Sequence, residues 1–182
     1  DQAITGVFAG DCHAANRAGC ADVRERALIP VSQTFPVVVT SNSGHPLDQN
    51  LYQSVKGMDA AAQIVAPGGT VIMASACSDG IPEHGNFGKL LREAPDIAAL
   101  DRKLRSLPSP MLDQWQVQVL LRVLDRCSVA LYSELDPASV VACKLTPVDD
   151  IERSLYEHIE RLGRGVRVAV IPEGPATIPV IA

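Results

Sequence analysis

Two apolar runs, FPVVVTS at 35–41 and GGTVIMASA at 68–76, most constrain what this chain can fold into. Both have the length of a strand, are bounded by turn-forming residues and lack a regular polar alternation, as strands buried on both faces do. The segment 49–62 between them contains no proline and is long enough for a helix. Strand, helix and strand in this order form a crossover unit of a parallel sheet, which is right-handed in nearly all proteins.

The rest of the chain continues the alternation of helices and strands. Further helices are predicted at 11–26, 86–94, 96–106, 113–126 and 148–162, and further strands at 128–132, 139–143 and 166–171. The proline-rich tail, PEGPATIPVIA, is predicted to run extended over the surface. We therefore expect an α/β fold with three layers, α/β/α, around a mostly parallel sheet of Rossmann-like or flavodoxin-like type. A length of 182 residues suits a single domain, 1–182.

Composition and charge exclude several classes of partner. The net charge of −5 comes without a cluster of Lys and Arg among aromatic residues, so we expect no nucleic-acid partner. No apolar run approaches the roughly 18 residues that cross a bilayer, so we expect no membrane partner. The five cysteines form no C-x-x-C pair and the four histidines show no ligand spacing, which argues against disulfides and a metal site. These features predict a cytoplasmic protein whose cysteines are small buried residues.

One face of the predicted helix 49–62 is polar. At 100° per residue, Tyr52, Gln53 and Lys56 fall together, opposite an apolar face. That apolar face consists of Leu51, Val55, Met58 and Ala62. A solvated surface would explain the polar face equally well. Its position after the carboxyl end of a predicted strand favours a ligand, because ligands of open α/β sheets bind there. Amide and ammonium donors would suit a carboxylate or a phosphate.

A second loop, CSDGIPEHG at 77–85, follows the next strand, and we expect it to converge with the first loop on one crevice. Cys77 or Ser41 could act with His84 as the nucleophile and base of a hydrolase. A buried structural cysteine is the commoner role, and the spacing does not orient these side chains toward each other.

The only tryptophan lies in DQWQVQ at 113–118, off the apolar stripe of its predicted helix. Trp115, flanked by Gln114, Gln116 and Gln118, would serve as the wall of a site for a ligand or a neighbouring domain. Partial burial at the surface is the alternative.

Three segments in order, VTSNSGHPLDQNLYQSVKGM, APGGTVIMASACSDGIPEHGNF and DQWQVQ, resemble the C-terminal domain of the nickel-pincer-nucleotide-dependent lactate racemase family. The likeness runs from about Phe8 to the end of the chain. It implies a cytoplasmic two-domain enzyme of which this chain is the second domain. The first domain would hold the nickel-pincer nucleotide on a lysine, the nickel-binding histidine and the two acid–base histidines, so this chain alone is expected to bind no cofactor and to be inactive.

The resemblance also implies a reaction and a set of site residues. In the family, the α-hydride of a small 2-hydroxy acid passes to the cofactor and returns to the other face of the 2-keto acid. Lys56 and Gln53 would be the catalytic residues that orient the substrate, with Tyr52 and Trp115 bordering the pocket. His45 stands where many members have a tyrosine, so it would alter the edge of the substrate site.

A second hypothesis uses the same residues without redox chemistry. A Rossmann-like module that binds a small anion or a nucleotide would also place amide and ammonium donors at the carboxyl end of a parallel sheet. The two hypotheses differ in whether a histidine-bearing first domain accompanies this chain.

Overall fold

A computed structural model describes residues 3–182. The helices are α1 (Cys12–Ala27), α2 (Leu51–Ala62), α3 (Phe87–Glu93), α4 (Ile97–Ser106), α5 (Gln114–Arg126), α6 (Pro137–Ala142) and α7 (Ile151–Leu162). The strands are β1 (Leu28–Val31), β2 (Phe35–Ser41), β3 (Val65–Ala74), β4 (Ser128–Tyr132), β5 (Thr146–Val148), β6 (Val168–Ile171) and β7 (Ile178–Ile181). A 3₁₀ turn, Gly174–Ala176, precedes β7.

Five strands form the main sheet in the order β5-β4-β3-β2-β6, and all its neighbouring strands run parallel. The chain steps from β2 through β3 and β4 to β5 at one edge, then returns to place β6 beside β2 at the other edge. Crossovers between parallel strands are right-handed, so the connection that runs back from β5 to β6 passes over the opposite face of the sheet from the earlier crossovers. The prediction of a three-layer α/β/α fold around a parallel sheet is confirmed.

The core lies on both faces of this sheet. Alternate strand residues enter opposite clusters, as the two-residue period of a strand requires. The larger cluster takes Val38, Val71 and Val129 from the strands and packs them under α2 to α5. The smaller cluster takes Val37, Ile72 and Ala130, against which Ile151 and Leu155 of α7 pack.

The strand predicted at 139–143 is wrong, because this segment forms α6. The helix begins with a proline at its first position, and the Asp136 carboxylate accepts a hydrogen bond from the Ser139 amide at 3.0 Å. A capping acid followed by proline is a strong helix start, and it outweighs the β-branched pair that follows. The strand at this edge of the sheet is β5, which takes Val148 from the start of the helix predicted at 148–162.

The termini also differ from the prediction. The tail does not simply run over the surface, because β7 pairs in parallel with β1 and forms a second, two-stranded sheet. Strand β1 itself was not predicted. The helix predicted at 11–26 is confirmed as α1, and Asp11 accepts a hydrogen bond from the Ala14 amide at its start.

Burial of the cysteines divides them into two groups. Cys77, Cys127 and Cys143 are buried, and burial raises the pKa of Cys127 and of Cys143 to about 11. The prediction of buried cysteines is wrong for Cys12 and Cys20, which lie exposed on α1. No helix among residues 3–182 combines the length and apolarity that crossing a bilayer requires.

Candidate functional site

The loop between β2 and α2 is organised by the buried side chain of Asn42. Its Oδ1 accepts a hydrogen bond from the Gly57 amide at 3.1 Å, and its Nδ2 donates to the Leu47 carbonyl. Its own amide donates to the Ala74 carbonyl at 3.2 Å. This one residue thus ties the loop to α2 through its side chain and to β3 through its backbone amide. A Cβ on Gly57 would lie 2.9 Å from Asn42 Oδ1, so only glycine permits this close approach.

The two loops that follow β2 and β3 meet, as the sequence predicted. Asp48 Oδ2 accepts a hydrogen bond from the Ala76 amide at 3.2 Å, and its carbonyl accepts one from the Cys77 amide at 2.8 Å. The Asp79 amide donates to the Gln49 carbonyl at 2.7 Å. These bonds fix the entry to α2, whose first turn is capped where Asn50 Oδ1 accepts from the Gln53 amide at 3.0 Å.

Tyr52, Gln53 and Lys56 project from the first two turns of α2. Tyr52 and Gln53 are half-buried, and Lys56 is exposed. The Lys56 ammonium donates to Gln53 Oε1 at 2.6 Å, and none of the ion pairs within residues 3–182 includes it. An ammonium makes three hydrogen bonds and a side-chain amide donates two, so both groups keep donors for a ligand.

Aromatic contacts join Tyr52 to α5 and α3. Its ring meets Trp115 edge to face, with centroids 5.8 Å apart, and meets the buried Phe87 in the same way at 5.3 Å. Burial raises the pKa of Tyr52, and the Asp113 carboxylate raises it further. Trp115 is 54% exposed, so its indole forms an open wall beside α2. We call Tyr52, Gln53, Lys56 and Trp115 the α2–α5 patch.

A buried glutamine next to Trp115 in the sequence holds this patch together. Gln116 is 1% exposed, and its Nε2 donates to the Tyr52 carbonyl at 2.7 Å. Gln114 is also buried and accepts from the Met111 amide at 2.9 Å. Gln114 and Gln116, which flank Trp115 in the sequence, are therefore core residues, whereas Gln118 is exposed. The signal was present: Gln116 lies about 20° from the buried Val123 around the helix.

Three non-glycine residues around the patch have left-handed backbone conformations. Ser43 has φ 67° in the loop before α2, Cys77 has φ 54° after β3, and Asp113 has φ 64° immediately before α5. Such conformations are strained for residues with a Cβ, and they cluster at functional sites. Within the described part of the chain, one further non-glycine residue, Lys144, shares this conformation.

The hydrolase hypothesis is wrong, because its residues are not arranged for catalysis. Cys77 is buried and hydrogen-bonded to the hydroxyls of Ser54 and Ser75, and burial raises the pKa of its thiol. His84 is exposed. A buried thiol with a raised pKa is a poor nucleophile. Ser41 is also engaged, since its hydroxyl donates to the Pro172 carbonyl.

A crevice of about 540 Å³ opens at the carboxyl ends of the strands. Its lining residues are Ser41, Gly44, Asp48, Ala74, Ser75, Ala76, Tyr132, Ser133, Glu134 and Asp149. Three of them are carboxylates and none is basic. All four residues of the α2–α5 patch are absent from this lining, and so is His45, which is exposed on the loop before α2. The switch point between β2 and β6 is filled, since a Cβ on Gly174 would lie 2.7 Å from the Ser41 carbonyl.

Residues 3–182 contain no group of three or more His, Cys, Asp or Glu side chains placed to hold a metal ion. The donors of the α2–α5 patch are the Lys56 ammonium and the Gln53 amide nitrogen, which have no lone pair for a metal in these protonation states, and Gln53 Oε1 accepts from Lys56. This chain's residues therefore do not fit a nickel site, and the chemistry of the patch is that of binding an anion.

Comparison with known proteins identifies the family of this chain. Residues 31–180 match the model of the lactate racemase C-terminal domain. The chain belongs to this family. The lactate racemase of Lactiplantibacillus plantarum is 34% identical over 98% of the chain, and that of Thermoanaerobacterium thermosaccharolyticum is 33% identical over 96%. The chain spans 42% and 41% of the length of these two relatives.

Solved structures agree with the family. The apoprotein of the lactate racemase from T. thermosaccharolyticum superposes with a TM-score of 0.83 and 32% identity, over 91% of this chain and 40% of that one. A Thermotoga maritima protein solved by a structural genomics consortium reaches a TM-score of 0.61 at 13% identity, over 92% of this chain and 42% of that one, which shows a shared fold alone. The resemblance drawn from the three sequence segments is confirmed.

Proposed function

We propose that the chain is the substrate-capping domain of a full-length nickel-pincer-nucleotide-dependent 2-hydroxy-acid racemase or epimerase of the lactate racemase type, working in the cytoplasm. The observation that carries the proposal is the pairing of Lys56 and Gln53 beside the Tyr52–Trp115 contact. It offers cationic and amide donors next to an aromatic wall, on an open surface, in a chain of the lactate racemase family.

The donors of the patch match a small 2-hydroxy acid. A carboxylate accepts hydrogen bonds on both oxygens, and charge-assisted bonds from an ammonium are the stronger kind. Lys56 would bind the carboxylate, and the amide of Gln53 would bind the same carboxylate or the neighbouring hydroxyl. Two anchors one helical turn apart fix the orientation of the α-hydrogen, and orientation is a large part of catalysis.

The openness of the patch supports a capping role. Lys56 and Trp115 are exposed, so a second surface is needed to exclude water from a bound acid. We propose that the rest of the full-length protein provides that surface and holds the cofactor, whose part is to accept and return hydride. The 182-residue chain alone is then inactive.

The second hypothesis, a small-anion or nucleotide module without redox chemistry, is less well supported. Such a module would bind its ligand in the crevice at the carboxyl ends of the strands, but the amide and ammonium donors of α2 lie outside the lining of that crevice. That crevice is lined by Asp48, Glu134 and Asp149, and carboxylates repel a phosphate or a carboxylate ligand.

Racemisation of a panel of chiral 2-hydroxy acids, including lactate, tests the proposal. The full-length protein is loaded with the nickel-pincer nucleotide, and wild type is compared with Gln53→Leu and with Gln118→Leu, which changes an exposed glutamine of α5. We expect one acid to be racemised, Gln53→Leu to lower kcat/KM at least about tenfold, and Gln118→Leu to leave it within about twofold. Failure of every acid, or equal rates in the two variants, would overturn the proposal.

A further inference from the structure

The N-terminal helix and the two-stranded sheet bury fewer of their side chains than the rest of the molecule does. We call α1, β1 and β7 the terminal arm. Helix α1 has 16 residues and buries none of them. A helix of this length is marginal in water without a packed face, because packing supplies most helical stability in proteins. Helix α1 therefore lacks the packed face that a helix of this length needs.

The two-stranded sheet of the arm is also incompletely packed, because its strands lack further neighbours in the described part of the chain. Strands β1 and β7 pair with each other in parallel, and within residues 3–182 neither has a second neighbour. Parallel sheets occur almost entirely where both faces are covered, and two strands alone are marginally stable. An open edge on each side is a template for a further strand.

Apolar side chains project from the arm into solvent. Val23 on α1 is 50% exposed, and Ile29 on β1 is 48% exposed. On β7, Ile178 is 40% exposed and Ile181 is 48% exposed. Single exposed apolar residues are ordinary, but here they lie on α1 and on both faces of the small sheet, since Ile178 and Ile181 are three positions apart on one strand. This exposure indicates that another part of a protein covers the arm.

The extent of the family match indicates what covers it. The C-terminal domain model begins at residue 31, so α1 and nearly all of β1 lie before it. The L. plantarum racemase nevertheless matches 98% of the chain, so the segment before residue 31 resembles the racemase outside its C-terminal domain. More than half of that relative's length lies beyond the match.

We infer that the terminal arm is the docking surface for the N-terminal part of the full-length racemase. In this arrangement β1 and α1 pack with that part, and β7 carries the end of the C-terminal domain back to it. The paired strands β1 and β7 would then both connect the C-terminal domain to the N-terminal part. The inference rests on the proposed function, because it takes the chain to be part of a longer racemase.

Hydrogen–deuterium exchange tests this, measured by mass spectrometry on the full-length protein and on the 182-residue chain. We expect amides of 12–31 and 178–181 to exchange at least about tenfold more slowly in the full-length protein, and those of β3 to exchange alike in both. In the full-length protein Ile178→Glu should remove this extra protection. Val141→Glu, at a 58% exposed site on α6 beside β5 at the far edge of the main sheet, should retain it.

Equal exchange of the arm in the two proteins would overturn the inference. So would a 182-residue chain that dimerises in sedimentation experiments and becomes monomeric with Ile178→Glu, since the arm would then belong to a second copy. The exchange measurement does not use activity. A protected arm in a protein that racemises nothing removes the proposed function alone, and a racemase whose arm exchanges equally removes the docking alone.

Discussion

Two surfaces near the carboxyl end of the main sheet have opposite character. The crevice is concave, is lined by carboxylates and has walls held by backbone hydrogen bonds. The α2–α5 patch is open, carries an ammonium and an amide, and borders on an exposed indole. Position at the carboxyl ends of parallel strands alone would select the crevice. The chemistry of a 2-hydroxy acid selects the patch, because a carboxylate needs donors and a cation.

Under the proposed function, the contrast means that one half of a shared site need not be concave. A capping domain presents its groups on an open face, and the cavity forms only when the other half is present. In this account the crevice has a structural role: Asp48 and the loop after β3 lock the start of α2, which carries the patch.

Substitution of Gly85 should have the largest effect on stability. A Cβ there would lie 1.8 Å from Asp113 Oδ2, and its φ is 79°. Gly80 has a φ of 76° with nothing within 4 Å of a Cβ, so it carries the backbone strain without the clash. We expect Gly85→Ala to lower the free energy of unfolding by roughly 2–4 kcal/mol and Gly80→Ala by about 1 kcal/mol.

Urea denaturation of the 182-residue chain, followed by the emission of Trp115, measures both variants. A larger loss for Gly85→Ala would show that the turn before α5, which sets Trp115, is held as firmly as the crevice. Equal losses of unfolding free energy would mean that the turn at Asp113 shifts to relieve the clash. The patch would then not be held rigidly by this turn.

Gln116 should have a smaller effect, confined to the patch. Gln116→Met removes the donor to the Tyr52 carbonyl while keeping the side chain's length, and Gln118→Met on the same helix is the control. We expect Gln116→Met to raise KM for the 2-hydroxy acid about 3–10-fold with less change in kcat, since it acts through Tyr52 and Trp115.

The emission of Trp115 provides a readout of Gln116 that is independent of activity, because the chain contains one tryptophan. We expect a shifted emission maximum in the folded Gln116→Met chain and an unchanged one in Gln118→Met. A Gln116→Met variant that is less stable but has the emission and KM of wild type would reduce Gln116 to a packing role.

The pH dependence of stability should show the smallest effect. Burial raises the pKa of Tyr52, so its stabilising contribution is present below the unfolded value of about 10 and is lost as pH rises through the raised folded value. Relative to Tyr52→Phe, wild type should therefore lose stability above about pH 10. Parallel curves in urea titrations from pH 8 to 12 would mean that Tyr52 is fully solvated.

Local patterns sufficed to predict the strands and loops near the patch. The runs at 35–41 and 68–76 identified β2 and most of β3, and the polar face of α2 identified Tyr52, Gln53 and Lys56. These features depend on periodicity and on turn residues close in sequence. The convergence of the two loops followed from strands being parallel neighbours.

Other features required contacts that no local pattern carries. The pairing of β1 with β7 joins residues about 150 positions apart, such as Leu28 and Ile178. The helical pattern could have shown that Gln116 is buried, but its hydrogen-bond partner is a backbone carbonyl on another helix, which local sequence does not reveal. The roles of the patch in binding and of His45 at its edge stay predictions.

The most direct test of the account compares one residue from each surface. In the full-length protein loaded with the nickel-pincer nucleotide, kcat/KM for the acid that is racemised is measured for wild type, Lys56→Met and Glu134→Gln. The account predicts a loss of at least about 100-fold for Lys56→Met and a change within about threefold for Glu134→Gln. A larger loss for Glu134→Gln, or a Lys56→Met enzyme within threefold of wild type, would contradict it.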